Sequence, residues 1–160
     1  MGAPLKMSRS SRNSSGKSES VKIKNKNDQI IIPSSLNYLP EVDEYVEGKL
    51  RKLGVDKNKL ADIAISVTEA VTNAVVHGNK NDLKKKVFIK LKAASSRVEI
   101  TVEDEGNGFD PESIQNPIEE GNLLKEVGRG IFILKSLMDK VDFIIQPQKG
   151  TLVKMTKFLS

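Results

Sequence analysis

Apolar residues recur along this chain with two different periods, and the switches between them outline its elements. Ile30, Ile31 and Ile32 form an unbroken apolar run that stops at Pro33, which predicts a strand within residues 21–32. Leu39, Val42, Val46, Leu50 and Leu53 then recur at three- and four-residue intervals, predicting a helix over residues 36–52 with Ser34 or Ser35 as its N-cap and Gly54 as its stop. Asp56 caps a second, longer helix, in which Leu60, Ile63, Ala64, Val67, Ala70, Val71, Ala74 and Val75 form a wide apolar face up to Gly78. Strict alternation over residues 87–93 and 97–102, joined by Ala94-Ser95-Ser96, predicts an antiparallel hairpin.

The remaining third of the chain begins with a stretch that has no clear period. Residues 104–127 are rich in Gly, Pro, Asn and Glu, and an unstructured connection of that length in a compact domain is usually functional. A third helix over residues 130–138 and two strands, 141–146 and 151–157, turned at Lys149-Gly150, complete the pattern. The order strand, helix, helix, strand, strand, loop, helix, strand, strand predicts an α/β (α+β) two-layer sandwich. Its sheet is mixed but largely antiparallel and is covered on one face by about three helices.

Composition narrows this picture in one place. The 160 residues carry a net charge of +5, yet residues 1–28 hold seven of the basic side chains and two of the acidic ones, leaving 19 of each sign in the neutral remainder. The basic balance therefore belongs to an N-terminal arm. Residues 1–20 contain seven serines and almost nothing large and apolar, so they cannot bury enough surface to offset ordering and are read as a disordered arm. Residues 21–160 form the folded domain. With no cysteine there is neither a disulfide framework nor a thiolate metal site, and no apolar run approaches the length of a membrane span. A soluble cytoplasmic protein without a membrane partner is expected. Direct nucleic-acid binding is not expected, because the basic groups lie in the arm and in Lys84-Lys85-Lys86, with no tryptophan and only two tyrosines to stack on bases.

Three segments carry candidate chemistry. In EAVTNAVVHGN, Glu69, Asn73 and His77 are four apart and share one side of the second helix. A carboxamide oxygen is a hard ligand for Mg²⁺ and a carboxylate one turn away can orient a hydroxyl or accept its proton; an ordinary polar stripe gives the same spacing. His77, beside Gly78, equally suits a C-terminal cap. In DEGNGFDP, Asp104 leaves a strand as a possible acceptor for an exocyclic amine such as adenine's. Gly106 and Gly108 remove Cβ atoms beside it, as they also would in a plain turn. In GRGIFILKSLMD, Gly128-Arg129-Gly130 stands where the third helix is expected to start, and free N–H groups with the helix dipole there favour phosphate or merely cap the helix. Neither a G-x-x-x-x-G-K-[ST] loop nor a nucleophile elbow accompanies them.

Together and in this order, Glu69-x-x-x-Asn73, Asp104-x-Gly106-x-Gly108 and Gly128-x-Gly130 resemble the GHKL (Bergerat-fold, histidine kinase-like) ATPase superfamily and, within it, bacterial anti-sigma factor serine/threonine kinases. The resemblance implies a Bergerat fold with an ATP lid at about residues 111–127, and ATP and Mg²⁺ as ligands. It implies Glu69 as general base, Asn73 on Mg²⁺, and Asp104 on the adenine amine. His77, Gly106, Gly108, Gly128, Arg129, Gly130 and Ile131 would line the nucleotide. It further implies a homodimer that sequesters a sigma factor and phosphorylates a STAS-like anti-sigma factor antagonist. A nucleotide-controlled binding module without kinase activity is the alternative. The catalytic half of a sensor kinase needs a phosphoacceptor histidine, and the one histidine here lies inside the nucleotide motif.

Overall fold

The computed structural model describes residues 22–24, 29–107 and 122–160. The serine-rich arm assigned to residues 1–20 lies outside them. Among the described residues six strands form one sheet: β1 (Lys22–Lys24), β2 (Gln29–Pro33), β3 (Lys86–Ala93), β4 (Arg97–Glu103), β5 (Lys140–Gln146) and β6 (Gly150–Phe158), in the order β1-β2-β3-β4-β6-β5. The single strand expected at residues 21–32 is thus two strands, paired antiparallel with Lys22 opposite Ile31; the polar Asn25-Lys26-Asn27-Asp28 between them is turn-forming in composition.

One face of this sheet is continuous and apolar. Ile30 pairs with Ile89, Ile89 with Val102, Val102 with Val153 and Val153 with Phe143, so a hydrophobic row crosses five strands. Three helices cover it. Helix α1 (Leu39–Lys52), entered through a single 3-10 turn at Leu36–Tyr38, buries Val42, Val46 and Leu50, and α2 (Lys57–Thr72) buries Ile63, Val67, Ala70 and Val71. Fully burying one such side chain contributes on the order of 1.5–3 kcal/mol, so this face supplies most of the drive for folding. The opposite face carries Lys90, Lys92, Glu99, Thr101 and Lys154 beside Phe88 and Leu152.

Local signals in the sequence place the helix ends. Asp56 accepts hydrogen bonds from the Asn58 and Lys59 amides at 3.0 and 3.3 Å, the side-chain cap that fixes the start of α2. Gly54 takes a positive φ of 72° after α1, a conformation that costs other residues more.

Two further expectations differ from the structure. The sheet was expected to be mixed, whereas every described pairing is antiparallel. The connection from β4 through the third helix to β5 has the form of a parallel crossover, but β6 turns back and inserts between β4 and β5, so the parallel pair never forms. The third helix, α3, spans Asn122–Leu137 and not residues 130–138. Leu123 to Glu126 are good helix formers, and a continuous helix places Val127, Gly130 and Leu134 on one buried face. That burial offsets the roughly 1 kcal/mol that each interior glycine costs. Lys157, rising from β6, donates to Asp62 of α2 at 3.0 Å and to the Leu137 carbonyl, fastening the end of α3 to α2.

Candidate functional site

Helix α2 does not stop at Thr72 but widens into a π-turn over Asn73–Gly78, closed by the Asn79 amide donating to the Ala74 carbonyl at 2.8 Å. Such turns are rare and recur at functional sites. Here the π-turn begins at Asn73 itself, so Glu69 and Asn73 stand at the junction of two helical geometries. Both face α3. A Cβ added at Gly130 would lie 3.1 Å from Glu69 Oε1 and 3.1 Å from Asn73 Nδ2, so Gly130 is what lets α3 approach this pair.

Farther along the same side of the π-turn, His77 Nε2 sits 3.9 Å from Glu126 Oε1 of α3, and Nδ1 is buried without a hydrogen-bond partner among the described residues. Burial pushes the His77 pKa below its usual value and Lys80 adds to this, while Glu126 opposes them. Burial therefore favours the neutral ring.

At the far end of the π-turn lies Asp104, one residue beyond β4 and only 5% exposed. Its Oδ1 accepts the Gly106 amide at 2.9 Å and the Thr151 amide at 3.1 Å, and its own amide donates to the Thr151 carbonyl at 3.0 Å. Burial raises the carboxyl pKa; the two amides and Lys85 pull it down, and Glu105 adds a smaller upward push. Three glycines frame the group. A Cβ at Gly78 would collide with the Asp104 carboxylate, one at Gly106 with the Gly78 carbonyl, and one at Gly150 with the Asp104 carbonyl. Both described bonds go to Oδ1, which leaves Oδ2, the oxygen toward Gly78, to accept from an incoming N–H group.

Thr151 was not singled out from the sequence. Its Oγ1 is buried with no partner among the described residues, beside the carboxylate its own amide supports. A Gly-Thr pair after a hairpin reads as turn chemistry, and only the register of β6 against β4 brings it to Asp104. Asn79, 1% exposed, closes the EAVTNAVVHGN segment, where the sequence gives it no role of its own.

Gly128, Arg129, Gly130 and Ile131 are found in the interior of α3, not at its start, which corrects the expectation of free N–H groups at Gly128. Arg129 is exposed, while Gly128 and Ile131 are half-buried. Gly108 and positions 111–121 of the lid lie outside the described residues, and positions 122–127 belong to α3.

The donor set fits an adenine nucleotide and Mg²⁺. A glycine-lined carboxylate with an orphaned hydroxyl beside it suits a base edge, and the carboxamide and carboxylate across from Gly130 suit a hydrated cation. Among the described residues no group of three or more His, Asp or Glu side chains can hold a metal, so Mg²⁺ would share Asn73 with phosphate oxygens and water, as this cation commonly does.

Comparison with known proteins shows the family and the fold. Residues 32–157 match the family described as histidine kinase-like ATPase domain. The chain is 37% identical over 113 residues to an anti-sigma F factor of Oceanobacillus iheyensis, covering 69% of this chain and 77% of that one. It is 32% identical over 135 residues to the serine-protein kinase RsbW of Bacillus subtilis, covering 81% and 83%. The crystal structure of the RsbU and RsbW domains of a Mycobacterium tuberculosis protein shares the fold, with a TM-score of 0.59 at 21% identity over 81% of this chain. This chain spans 32% of that one. A blue-light activated histidine kinase of Erythrobacter litoralis shares it with a TM-score of 0.52 at 22% identity, over 81% of this chain and 42% of that one. The chain belongs to the histidine kinase-like ATPase domain family.

Proposed function

We infer that this chain is an ATP-binding anti-sigma factor that acts as a serine/threonine protein kinase on an anti-sigma factor antagonist and otherwise holds a sigma factor. The observation that carries the reading is the meeting of Glu69 and Asn73 across from Gly130, at one end of a π-turn whose other end abuts Asp104. Relatives named anti-sigma F factor and serine-protein kinase over most of their length support it.

In this reading Asp104 Oδ2 accepts the exocyclic amine of the base, and Thr151 Oγ1 takes a further polar contact at the same edge. Asn73 contributes its side-chain oxygen to Mg²⁺. Bound ATP with Mg²⁺ supplies an electrophilic γ-phosphoryl group whose charge the cation neutralises. Glu69 would orient the serine or threonine hydroxyl of the partner and take its proton as the new O–P bond forms and the bond from the γ-phosphorus to the β,γ-bridging oxygen breaks, releasing ADP, so catalysis is mainly positioning. His77, neutral and partly buried, and Arg129, exposed on α3, line the approach. Gly108, two positions after Gly106 in the sequence, is assigned to the base pocket.

Self-association as a homodimer and a cytoplasmic location complete the proposal; no described helix is long and apolar enough to cross a membrane. The apolar stripe of α1 does not argue for the dimer, since Val42, Val46 and Leu50 are spent on the core.

Incubation with γ-labelled ATP and a candidate antagonist separates this reading from a non-kinase nucleotide switch. Label on a serine or threonine of the antagonist is the expected result, and tight ATP binding without any transfer supports the switch. Capture of partners from the native host, run once with ATP and once with ADP, should recover a sigma factor and the antagonist in different proportions.

A further inference from the structure

The segment that supplies Glu69 and Asn73 ends at Asn79, which the proposed mechanism leaves unused. Its carboxamide is buried and fully bonded: Nδ2 donates to Ser34 Oγ at 2.7 Å and to the Lys86 carbonyl at 3.0 Å, while Oδ1 accepts the Glu105 amide at 2.8 Å. Two donors on one side and an acceptor on the other admit an amide and no other side chain of this size.

The place matters more than the count. Phe88 of β3 pairs with Glu103 of β4, so a ladder continued two residues further would set Lys86 opposite Glu105. The direct bonds of that pair are absent. Asn79 stands between the Lys86 carbonyl and the Glu105 amide, and the Glu105 carboxylate accepts the Lys86 amide at 2.7 Å. The two strands are thus wedged apart where Asp104 leaves the sheet, and the Asp104-Glu105-Gly106 turn is held from the β3 side by Asn79 and from the β6 side by Thr151. Ser34 anchors the wedge in turn, donating its hydroxyl to the Lys85 carbonyl at 2.7 Å.

We propose that Asn79 is a positioning residue that sets base selectivity: by holding the Glu105 amide it fixes the Asp104 carboxylate in the one orientation that can accept an exocyclic purine amine. The inference rests on the ATP reading of the site. It concerns discrimination and not the capacity to bind a nucleotide, because Asn79 touches the turn and not the ligand.

The test is a comparison of ATP with ITP, which presents a carbonyl where adenine has its amine, by equilibrium binding to the full chain and to Asn79→Leu and Ser34→Ala. The parent should prefer ATP. In Asn79→Leu the ATP-to-ITP preference should fall by about tenfold, the scale on which loss of one oriented polar contact alters discrimination, with ITP affinity little changed. A purely structural role would weaken both nucleotides together and leave the ratio intact, which would overturn the proposal. If far-UV circular dichroism finds Asn79→Leu unfolded, Ser34→Ala decides. It removes one acceptor and lets the carboxamide turn, so a smaller fall in the ratio supports the proposal and an unchanged ratio in a folded protein rejects it. A parent without preference for ATP would sink the adenine assignment of Asp104 itself, and this inference with it.

Discussion

Asp104 is held in the folded chain against its own charge. Burial raises its pKa above the ordinary 3.8, so between that value and the folded one the native state binds more protons than the unfolded state, and stability falls as pH rises through this window. Ionising this carboxyl in the folded chain is therefore a cost, retained for what it binds. Asp104→Asn keeps an oxygen for the Gly106 and Thr151 amides and sheds the charge. Its melting temperature at pH 7 should equal or exceed the parent's, and the gap should close as pH is lowered toward 4. ATP affinity should drop by about tenfold or more, because the site then presents an amide where it needs an acceptor. His77 shifts the opposite way, so its contribution to stability is lost as pH falls from its ordinary 6.5 through the lowered folded value. That loss is common to both proteins and cancels in the difference. A variant that melts well below its parent at every pH would show that the charge itself supports the fold. At this scale Glu69, Asn73 and Asp104 were legible because each sits in a spaced motif. Thr151 and Asn79 were not, since their roles arise from strand register and from a hydrogen-bond pattern that no local spacing encodes.

Helices α1 and α2 and the two hairpins β3–β4 and β5–β6 could be read from periodicity with only small shifts at their ends. Helix α3 could not. Its two glycines look like a helix start, and the leucines before them lack the length to announce a helix alone, yet α3 begins at Asn122. As a result the Gly128 and Gly130 amides lie inside the helix, and Gly130 acts here by absence of a side chain. Gly130→Ala tests that role. The exchange favours the helix by about 1 kcal/mol, so the melting temperature should hold or rise. The new methyl, at 3.1 Å from Glu69 Oε1 and Asn73 Nδ2, forces that pair aside by a few tenths of an ångström. Phosphoryl transfer should fall by about tenfold while the fold persists, given that misplacing a catalytic group by 1 Å costs about a hundredfold. Transfer at the parental rate would mean that the close approach of α3 to the pair is incidental. The chain also hid the break between β1 and β2, where the polar residues 25–28 interrupt a stretch that reads as one strand.

For the whole molecule, element order was enough to predict helices on one face of a largely antiparallel sheet, but not the insertion of β6 between β4 and β5, which is a pairing between residues about fifty positions apart. Net charge misleads in the same global way: the +5 resides in residues 1–28, and the chain that builds the site is neutral. Charges on an arm beyond about 10 Å are screened at ordinary ionic strength, so deleting residues 1–20 should leave ATP affinity within about twofold of the full chain by titration. A larger loss would assign the arm to the nucleotide. The site then depends on local groups, and above all on one carboxylate. Single-turnover transfer of labelled phosphate from ATP to the antagonist, measured for the parent and Glu69→Gln at equal ATP occupancy, tests this most directly. The account predicts transfer in the parent and its loss, by about a hundredfold or more, in a variant that still binds ATP. Equal transfer by the two proteins would contradict it.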